Sequence, residues 1–467
     1  MESSSKLYEI LKNCKKVDGT GPPEMGEAQF QQCNDEFGKE VFRETLATFV
    51  ATERPSFPLK QNNKDVMVES FEKLKMFNTS KLLKPIEQLE KEVFEKYDNY
   101  KYPWTKWGIG LIDTPATLNN ASGYFHEHLR LNCGCYTFEP PMDVWENGTP
   151  KDIWRCMGAM WRGVSGVFKR EVRDTETGEI EEKLVGGKLD KETYVKAFRL
   201  GTYIATQFKP VVAKAIYDMT DAKRVLDTSC GWGDRLCGFF ASNAEEFIGC
   251  DPNPNTFKQY QEQCIEYEKI LDKSSTKNPI VKSTDDFFIS HGKKKVIIYR
   301  SGAEDIPWES IENVDCAFTS PPYFATEEYN KGGEHEEDQS WFKFNEYDRW
   351  RDDFFLPVSQ HSFDSLSDRG FLLVNIMNPK INNVVYPSCD DLVDLLEPNF
   401  IGQVGMRIMQ RPQGKSKFKT EEGTFDKGQL DEFMDKRFIE NVWCFQKNKS
   451  DFDLFRTSRK STLESFF

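Results

Sequence analysis

Two consecutive prolines between a serine and a tyrosine form the segment of this sequence best suited to chemistry. Ser320, Pro321, Pro322 and Tyr323 directly follow the apolar run 314–318, which predicts a buried β-strand. The prolines fix φ and lack N–H groups, so the carbonyl oxygens of Ser320 and Pro321 are expected to face a ligand. Tyr323 offers a flat ring for stacking. A plain turn is the alternative, since Pro-Pro is common in loops.

This segment would suit transfer of a methyl group to an amine on a heteroaromatic ring. Such an amine is a poor nucleophile until acceptors hold its protons and let the nitrogen pyramidalise toward the methyl donor. Ser320 and the Pro321 carbonyl are the predicted acceptors, and Tyr323 is the predicted stacking partner. No cysteine nucleophile is expected, because the nitrogen of the amine attacks directly.

A glycine turn about 90 residues upstream predicts a cofactor site. A strand ends at Asp227, and Gly231 and Gly233 follow, where the missing Cβ atoms let the backbone approach a ligand. The next strand ends at Asp251, about 20 residues later, where a carboxylate can accept both hydroxyls of a ribose. The third glycine of the dinucleotide fingerprint is absent, and no phosphate-binding lysine follows. A ribose without a pyrophosphate therefore fits, and S-adenosylmethionine is such a ligand.

Taken in order, these blocks resemble an amino-directed nucleic-acid methyltransferase, of the class that modifies adenine N6 or cytosine N4. The resemblance covers about residues 195–447, including block 207–210 at the methionine end of the cofactor and turn 301–307 at its adenine. It implies an α/β fold: a Rossmann-like class I methyltransferase sheet with helices on both faces. The cofactor contacts that it implies are Phe208, Lys209, Pro210, Asp227, Ser229, Gly231, Gly233, Asp251, Asn253, Ala303 and Glu304. The catalytic residues that it implies are Ser320, Pro321, Pro322 and Tyr323.

Three functions are compatible with these residues. The leading prediction is a DNA methyltransferase that acts on the exocyclic amine of a flipped-out base. The alternatives are an RNA adenine-N6 methyltransferase with the same chemistry and a non-catalytic subunit that only binds the cofactor. Adenine N6 is slightly favoured over cytosine N4, because the cofactor loop precedes the catalytic block.

The net charge of the chain argues against one class of nucleic-acid-binding protein. Asp and Glu number 76 against 62 Lys and Arg, so the net charge of −14 argues against a non-specific nucleic-acid coat. An enzyme needs only a local basic surface. The predicted nucleic-acid-binding residues are Arg407, Arg411, Lys415, Lys417 and Lys419, with a solvated loop as the alternative. Another basic run, 293–295, is predicted to be either a strand edge or a cluster that increases solubility.

Cysteine usage and hydropathy predict an intracellular protein, cytoplasmic or nuclear. Twelve cysteines are scattered without a compact framework, and no apolar stretch approaches the ~20 residues of a membrane span. No metal site is expected: His126, His128, Cys133 and Cys135 lie close in sequence but lack the usual zinc-ligand spacings.

The C-terminal residues resemble a PCNA-interacting peptide. Leu463, Phe466 and Phe467 match its aliphatic and aromatic positions, while Lys460 replaces its glutamine. The resemblance implies binding to a sliding clamp. The alternative is a tail that docks on its own domain.

Three regions are predicted along the chain. Residues 1–190 form a mostly helical accessory region for a substrate or partner, with helices over 40–52, 66–76 and 86–97 and a hairpin turn at 174–179. Residues 191–447 form the methyltransferase domain, because strand and helix signals alternate there. Residues 448–467 form a flexible tail.

Late in the domain, a helix is predicted over 347–366, and strands over 370–376 and 441–447. The acidic segment 325–341 follows the catalytic block and contains Gly332 and Gly333. It is predicted to be a loop that orders on substrate binding, with a plain insertion as the alternative.

Overall fold

The computed structural model describes residues 2–58, 63–86, 100–103, 108–114, 118–135, 138–162, 166, 168–173, 180–274, 277–408, 438–448 and 454. The α-helices are α1 Glu2–Asn13, α2 Glu27–Phe37, α3 Lys39–Glu53, α4 Lys64–Met76, α5 Asn120–Leu131, α6 Pro141–Asn147, α7 Pro150–Met157, α8 Lys191–Gly201, α9 Pro210–Met219, α10 Asp234–Ala241, α11 Pro254–Leu271, α12 Ser340–Lys343, α13 Tyr347–Arg349, α14 Leu356–Asp364 and α15 Ser388–Leu395. The strands are β1 Leu83–Pro85, β2 Gly108–Ile112, β3 Phe168–Arg173, β4 Ile180–Val185, β5 Arg224–Asp227, β6 Glu246–Cys250, β7 Ile280–Ser283, β8 Phe287–His291, β9 Lys295–Tyr299, β10 Val314–Thr319, β11 Leu366–Asn375, β12 Lys380–Ile381, β13 Val384–Val385, β14 Phe400–Ile408 and β15 Phe438–Gln446.

Two compact units divide the chain. The first comprises residues 1–62, 127–206 and 329–334, and the second comprises 63–126, 207–328 and 335–467. The predicted accessory region 1–190 is therefore shared between them. Segment 63–126 belongs with the sheet because β1 and β2 extend its edge and α4 packs into its core. These strands of three and five residues are too short to have been recognised in the sequence.

The described residues of the first unit are mostly helical. The predicted helix over 40–52 is α3, and its buried face joins a core that contains Phe42, Trp145 and Trp161. Strands β3 and β4 pair antiparallel, which confirms the hairpin. Its turn residues lie outside the described residues, and so do residues 87–97 of the helix predicted over 86–97.

The second unit is built on one large mixed sheet. Among the described residues it has eleven strands in the order β1-β2-β14-β15-β11-β10-β5-β6-β9-β8-β7. Strands β11, β10, β5, β6 and β9 are parallel, whereas β15 runs antiparallel between β11 and β14. The chain order reverses between β5 and β10, and such a switch point is where open α/β sheets bind ligands.

Helices cover both faces of this sheet. Val225 and Phe247 face a core shared with α9, α10 and α11. The adjacent residues Leu226 and Ile248 face a second core, shared with α14 and α15. Strands buried on both faces read as continuous apolar runs, which is why they were recognisable in the sequence. The predicted α/β fold class, a Rossmann-like sheet with helices on both faces, is confirmed.

The remaining predicted elements of the second unit lie close to their predicted positions. Helix α4 matches the prediction for 66–76, and strands β11 and β15 match those for 370–376 and 441–447. The predicted helix over 347–366 consists of α13, a π-helical stretch Trp350–Phe355 and α14. Within the described residues, no helix is long and apolar enough to cross a membrane.

Lys294 has a structural role that its sequence context conceals. Its ammonium donates to the carbonyl oxygens of Phe239 at 2.8 Å, Ser242 at 2.8 Å and Ala244 at 2.6 Å. These carbonyls lie in and just beyond the last turn of α10, and the Phe239 carbonyl also accepts from the backbone N–H and the hydroxyl of Ser242. The prediction that residues 293–295 are only a strand edge or a cluster that increases solubility is therefore wrong for Lys294.

We expect Lys294→Met to lower the free energy of unfolding by about 2 kcal/mol, because it removes three hydrogen bonds that the side chain donates to backbone carbonyls. Lys293→Met is the matched control. That side chain is 60% exposed and 3.6 Å from Asp272, so its loss should cost less than about 1 kcal/mol. Urea denaturation of both variants measures the difference, and equal losses would contradict the capping role.

Candidate active site

The predicted cofactor loop, ribose acid and catalytic block lie at the carboxyl ends of adjacent parallel strands. Asp227 ends β5, Asp251 follows β6, and Ser320 follows β10. Strand β5 pairs with β10 on one side and β6 on the other. The predicted cofactor loop, ribose acid and catalytic block therefore lie at one edge of the sheet.

Asp251 is tied to the glycine loop. Its Oδ2 accepts a 2.8 Å hydrogen bond from the backbone N–H of Gly231. Its Oδ1 accepts from the backbone N–H of Asn253 and from Thr256 Oγ1, both at 3.0 Å. Burial raises the pKa of Asp251 to about 6, against the lowering effect of these donors. The residue keeps partial solvent exposure, so a ligand can reach it.

Asp227 holds the loop from beneath. Its side chain is fully buried, with Oδ2 2.8 Å from Arg235 Nε and Oδ1 3.1 Å from the backbone N–H of Ser229. Arg235 also donates to the Ser229 carbonyl. The buried carboxylate therefore supports the loop, and contact of Asp227 with the cofactor stays a prediction.

The two loop glycines have different environments. Both have positive φ, +55° at Gly231 and +67° at Gly233. A Cβ on Gly233 would collide with the Gln263 amide and lie 2.5 Å from His126 Nε2. On Gly231, the nearest atom to a Cβ would be 3.7 Å away. Gly231 therefore leaves open space for a ligand, whereas Gly233 is required by packing, which corrects the reason predicted for it.

The block 207–210 supports the loop at several points. Gln207 donates to Asp234 Oδ1 at 2.9 Å and to Ser122 Oγ at 3.1 Å. Lys209 donates to the Thr114 carbonyl at 2.6 Å, and burial lowers its pKa. The Lys209 ammonium is thus hydrogen-bonded to Thr114, and contact of Lys209 with the cofactor stays a prediction.

The other predicted residues of this group have mixed surroundings. The Phe208 ring lies 5.8 Å from that of Phe318 and 5.4 Å from the guanidinium carbon of Arg235. Pro210 is buried and begins α9, where its missing N–H has no cost. Asn253 caps α11, since its Oδ1 accepts from the Asn255 backbone N–H at 2.9 Å. Direct cofactor contact by these residues stays a prediction.

The turn after β9 contains Ala303 and Glu304. Ala303 is 2% exposed, and its carbonyl accepts from Trp308 Nε1 at 2.9 Å. The Glu304 carboxylate forms a 3.1 Å ion pair with Lys343. These contacts fix the turn, and its contact with a cofactor adenine stays a prediction.

Ser229 joins the cofactor loop to the catalytic block. Its Oγ donates to the Ser320 carbonyl at 2.8 Å and lies 2.7 Å from Thr319 Oγ1. The Ser320 carbonyl was expected to face a ligand, but this hydrogen bond directs it toward the loop. Ser320 can therefore serve as a ligand acceptor through its hydroxyl.

Tyr323, at the other end of the catalytic block, is held by a residue far away in sequence. Its hydroxyl donates to Glu440 Oε1 at 2.7 Å across a separation of 117 residues. Of the prolines between, Pro321 is buried and Pro322 is partly buried. Both ends of the tetrapeptide are thus anchored.

Solved structures of methyltransferases align with about half of the chain. Trm1 from Pyrococcus horikoshii, in complex with S-adenosyl-L-methionine, is 13% identical and has a TM-score of 0.29, with 54% of this chain and 58% of that one covered. An rRNA methylase from Streptococcus thermophilus is 10% identical with a TM-score of 0.27, covering 52% and 99%. A methyltransferase from Geobacter sulfurreducens is 8% identical with a TM-score of 0.27, covering 53% and 81%. These likenesses are too distant to indicate a function.

No protein-family model matches the chain, and no curated protein matches it in sequence. The chain spans less than two thirds of the Trm1 structure.

The histidines and cysteines near residue 130 do not form a metal cluster in the described part of the chain. His126 Nε2 lies 3.1 Å from Gln263 Oε1, and Cys133 and Cys135 are buried. Among the described residues, only His335, Glu337 and Asp338 bring three potential ligand atoms within 4.8 Å of one another. Exposed acidic groups commonly lie this close without an ion.

The predicted nucleic-acid surface is described only at its first residue. Arg407 Nη1 lies 3.4 Å from Asp113 Oδ1, so its charge is partly compensated. Outside the described residues lie Arg411, Lys415, Lys417 and Lys419, and Leu463, Phe466 and Phe467. Segment 325–341 is described and contains a short turn, Glu336–Asp338. Its ordering on substrate binding stays a prediction.

Sequence reasoning missed three residues that shape the site. Glu440 interrupts an apolar strand and was hidden by its distance from Tyr323. Arg235 follows the glycine loop in a buried helix, where an arginine requires a partner, and that signal was available. Tyr260 donates to the Gly231 carbonyl from within α11, and only its helical context was visible.

We expect Gly233→Ala to destabilise the fold by about 1–3 kcal/mol more than Gly231→Ala. Both substitutions strain a left-handed backbone by about 1–2 kcal/mol. Only the first also forces a methyl group into Gln263 and His126. Urea denaturation compares the two, and equal losses would show that position 233 is as open as position 231.

Proposed function

We propose that this chain is an S-adenosylmethionine-dependent methyltransferase that modifies the exocyclic amine of a flipped-out base in DNA. The observation that carries the proposal is the 2.8 Å hydrogen bond from Ser229 Oγ to the Ser320 carbonyl. It joins a glycine loop suited to a nucleoside ligand to a rigid Ser-Pro-Pro-Tyr segment. A methyl donor and an acceptor amine need that proximity.

The residues around Gly231 fit the cofactor. Asp251 is a partly exposed acid beside the loop, suited to the two ribose hydroxyls, and the nearest atom to a Cβ on Gly231, beyond its chain neighbours, would be 3.7 Å away. When bound, S-adenosylmethionine supplies an electrophilic methyl group on a sulfonium. The chain's own part is to hold the ribose and to place the acceptor amine.

The residues of the catalytic block suit an amine on a planar ring. The Ser320 hydroxyl and the Pro321 carbonyl would accept its protons, and the Tyr323 ring would stack on the base. Adenine N6 is favoured slightly over cytosine N4 by the order of the blocks, as in the sequence interpretation.

DNA is preferred over RNA on one sequence feature, the clamp-like tail with Leu463, Phe466 and Phe467. The twelve cysteines are free and buried, which suits a reducing, intracellular compartment, cytoplasmic or nuclear. The following test distinguishes this function from RNA methylation and from cofactor binding without catalysis.

The test is nucleoside mass spectrometry after incubation of DNA and RNA with the chain and isotope-labelled cofactor. Label on N6-methyl-2′-deoxyadenosine or N4-methyl-2′-deoxycytidine from DNA supports the proposal. Label in RNA alone would move the function to RNA. Ser320→Ala should lower the rate by about two to three decades, since lost transition-state hydrogen bonds have that effect. Cofactor binding without transfer to any polynucleotide would overturn the proposal.

We expect cofactor affinity to fall as the pH drops through about 6. Asp251, with its pKa raised to about 6, is mostly a carboxylate at pH 7 and mostly a neutral acid at pH 5. The neutral acid is a weaker acceptor for ribose hydroxyls, so the dissociation constant should rise by up to about tenfold between these values. Calorimetry at both pH values measures the change.

Asp251→Asn is the matched control for this titration. Because the amide does not ionise, this variant should bind weakly at both pH values and show only the residual pH dependence of the other groups. An identical pH dependence in the wild type and the variant would remove Asp251 from the cofactor site.

We also propose that the tail binds a sliding clamp. A peptide over 455–467 should bind the clamp by itself, because Leu463, Phe466 and Phe467 recur at the spacing of one helical turn. Replacing both phenylalanines by alanine should abolish binding but leave methylation of short oligonucleotides unchanged. Titration of the peptide against the clamp measures the binding. No saturable binding up to millimolar concentration, or loss of activity on short substrates, would show that the tail belongs to the enzyme's own fold.

A further inference from the structure

Tyr323 and Glu440 form a pair that the proposed chemistry does not itself require. Tyr323 follows the prolines after β10, and Glu440 lies in β15, the antiparallel strand of the sheet. The phenol O–H donates to Glu440 Oε1 at 2.7 Å. The Asn375 carbonyl, on the intervening strand β11, lies 3.5 Å from the same hydroxyl.

A carboxylate at this point of the sheet has an energetic cost. Its chain neighbours Ile439 and Asn441 are fully buried, and Glu440 itself is only partly exposed. Removing a carboxylate from water is unfavourable unless donors replace the lost hydration. A phenol O–H is a strong donor to a carboxylate, and such charge-assisted bonds are about twice as strong as neutral ones.

The pair also fixes what the tyrosine can offer to a substrate. The ring packs against the core shared by β10, β11 and β15, and its hydroxyl is directed to Glu440. Since the single phenol proton is already donated, the tyrosine presents its ring face rather than a hydrogen-bond donor. Contacts at the ring and at the hydroxyl together restrict rotation about both side-chain torsions.

We infer that Glu440 is a positioning residue that holds the Tyr323 ring in the orientation in which it stacks on the target base. This inference rests on the proposed function and extends it. Glu440 acts through the tyrosine. This part of the site therefore selects substrates by the shape and stacking of their planar ring. The acceptors at Ser320 and Pro321 bind the amine of that ring.

The experiment is a double-mutant cycle on methyl transfer with Tyr323→Phe, Glu440→Ala and the double variant. Each single variant should lower kcat about tenfold, the effect of losing one ordering hydrogen bond of about 1.4 kcal/mol. The double variant should be no slower than either single variant, because the two residues act as one unit. Glu440→Gln, which keeps a side-chain oxygen acceptor, should retain activity within about threefold of the wild type.

A purely structural role would give a different result. Cofactor affinity by calorimetry should be unchanged in every variant, since neither residue touches the glycine loop. Glu397→Ala, an exposed acid in the same unit, is the matched control and should have wild-type kinetics. If Glu440→Ala fails to fold, Tyr323→Phe and Glu440→Gln still test whether Glu440 positions the Tyr323 ring. A Tyr323→Phe variant with wild-type kcat would overturn the inference.

Failure of the inference is distinguishable from failure of the proposed function. A wild-type chain that methylates no polynucleotide would overturn both. An active wild-type chain with an unaffected Glu440→Ala variant, or with losses that multiply in the double variant, would overturn only the role of Glu440.

Discussion

The buried ion pair between Asp227 and Arg235 is the interaction on which the rest of the site depends. Asp227 has no exposed side-chain surface and Arg235 has 6%. Removing either partner would leave an uncompensated buried charge, which typically costs about 3–5 kcal/mol. The loop between these residues contains both Ser229 and Gly231. Through Ser229 the loop reaches the catalytic block, and through Gly231 it reaches Asp251, so one ion pair fixes the geometry of three strand ends.

The fold of the second unit was predictable because its strands are buried on both faces. Runs such as 247–250 and 371–374 are apolar without alternation, which is typical of a covered parallel sheet. The extension by β1 and β2 was not predictable, because their pairing is set by the edge of β14 rather than by a local pattern. For the same reason the division of the chain into units departs from a simple boundary near residue 190.

The positions of the site residues were predictable, but several of their roles were not. Asp227 ends a strand and Asp251 and Ser320 each follow one, which places the three together in any parallel sheet with this order. What each side chain contacts depends on residues distant in sequence, such as Gln263 against Gly233. Composition and spacing contain no information about such contacts. This is why the burial of Asp227 and the close packing at Gly233 were not predicted from the sequence.

The catalytic block is rigid for three separate reasons that act on one short segment. Its first residue accepts a hydrogen bond from Ser229, its last donates one to Glu440, and the two residues between them are prolines with fixed φ. A site held in this way has little reorganisation to undergo when a substrate arrives, and preorganised dipoles are the main source of transition-state stabilisation in enzymes. Under the proposed function, the base therefore moves to the site, as a flipped nucleotide does, and the segment Ser320–Tyr323 does not need to close on it.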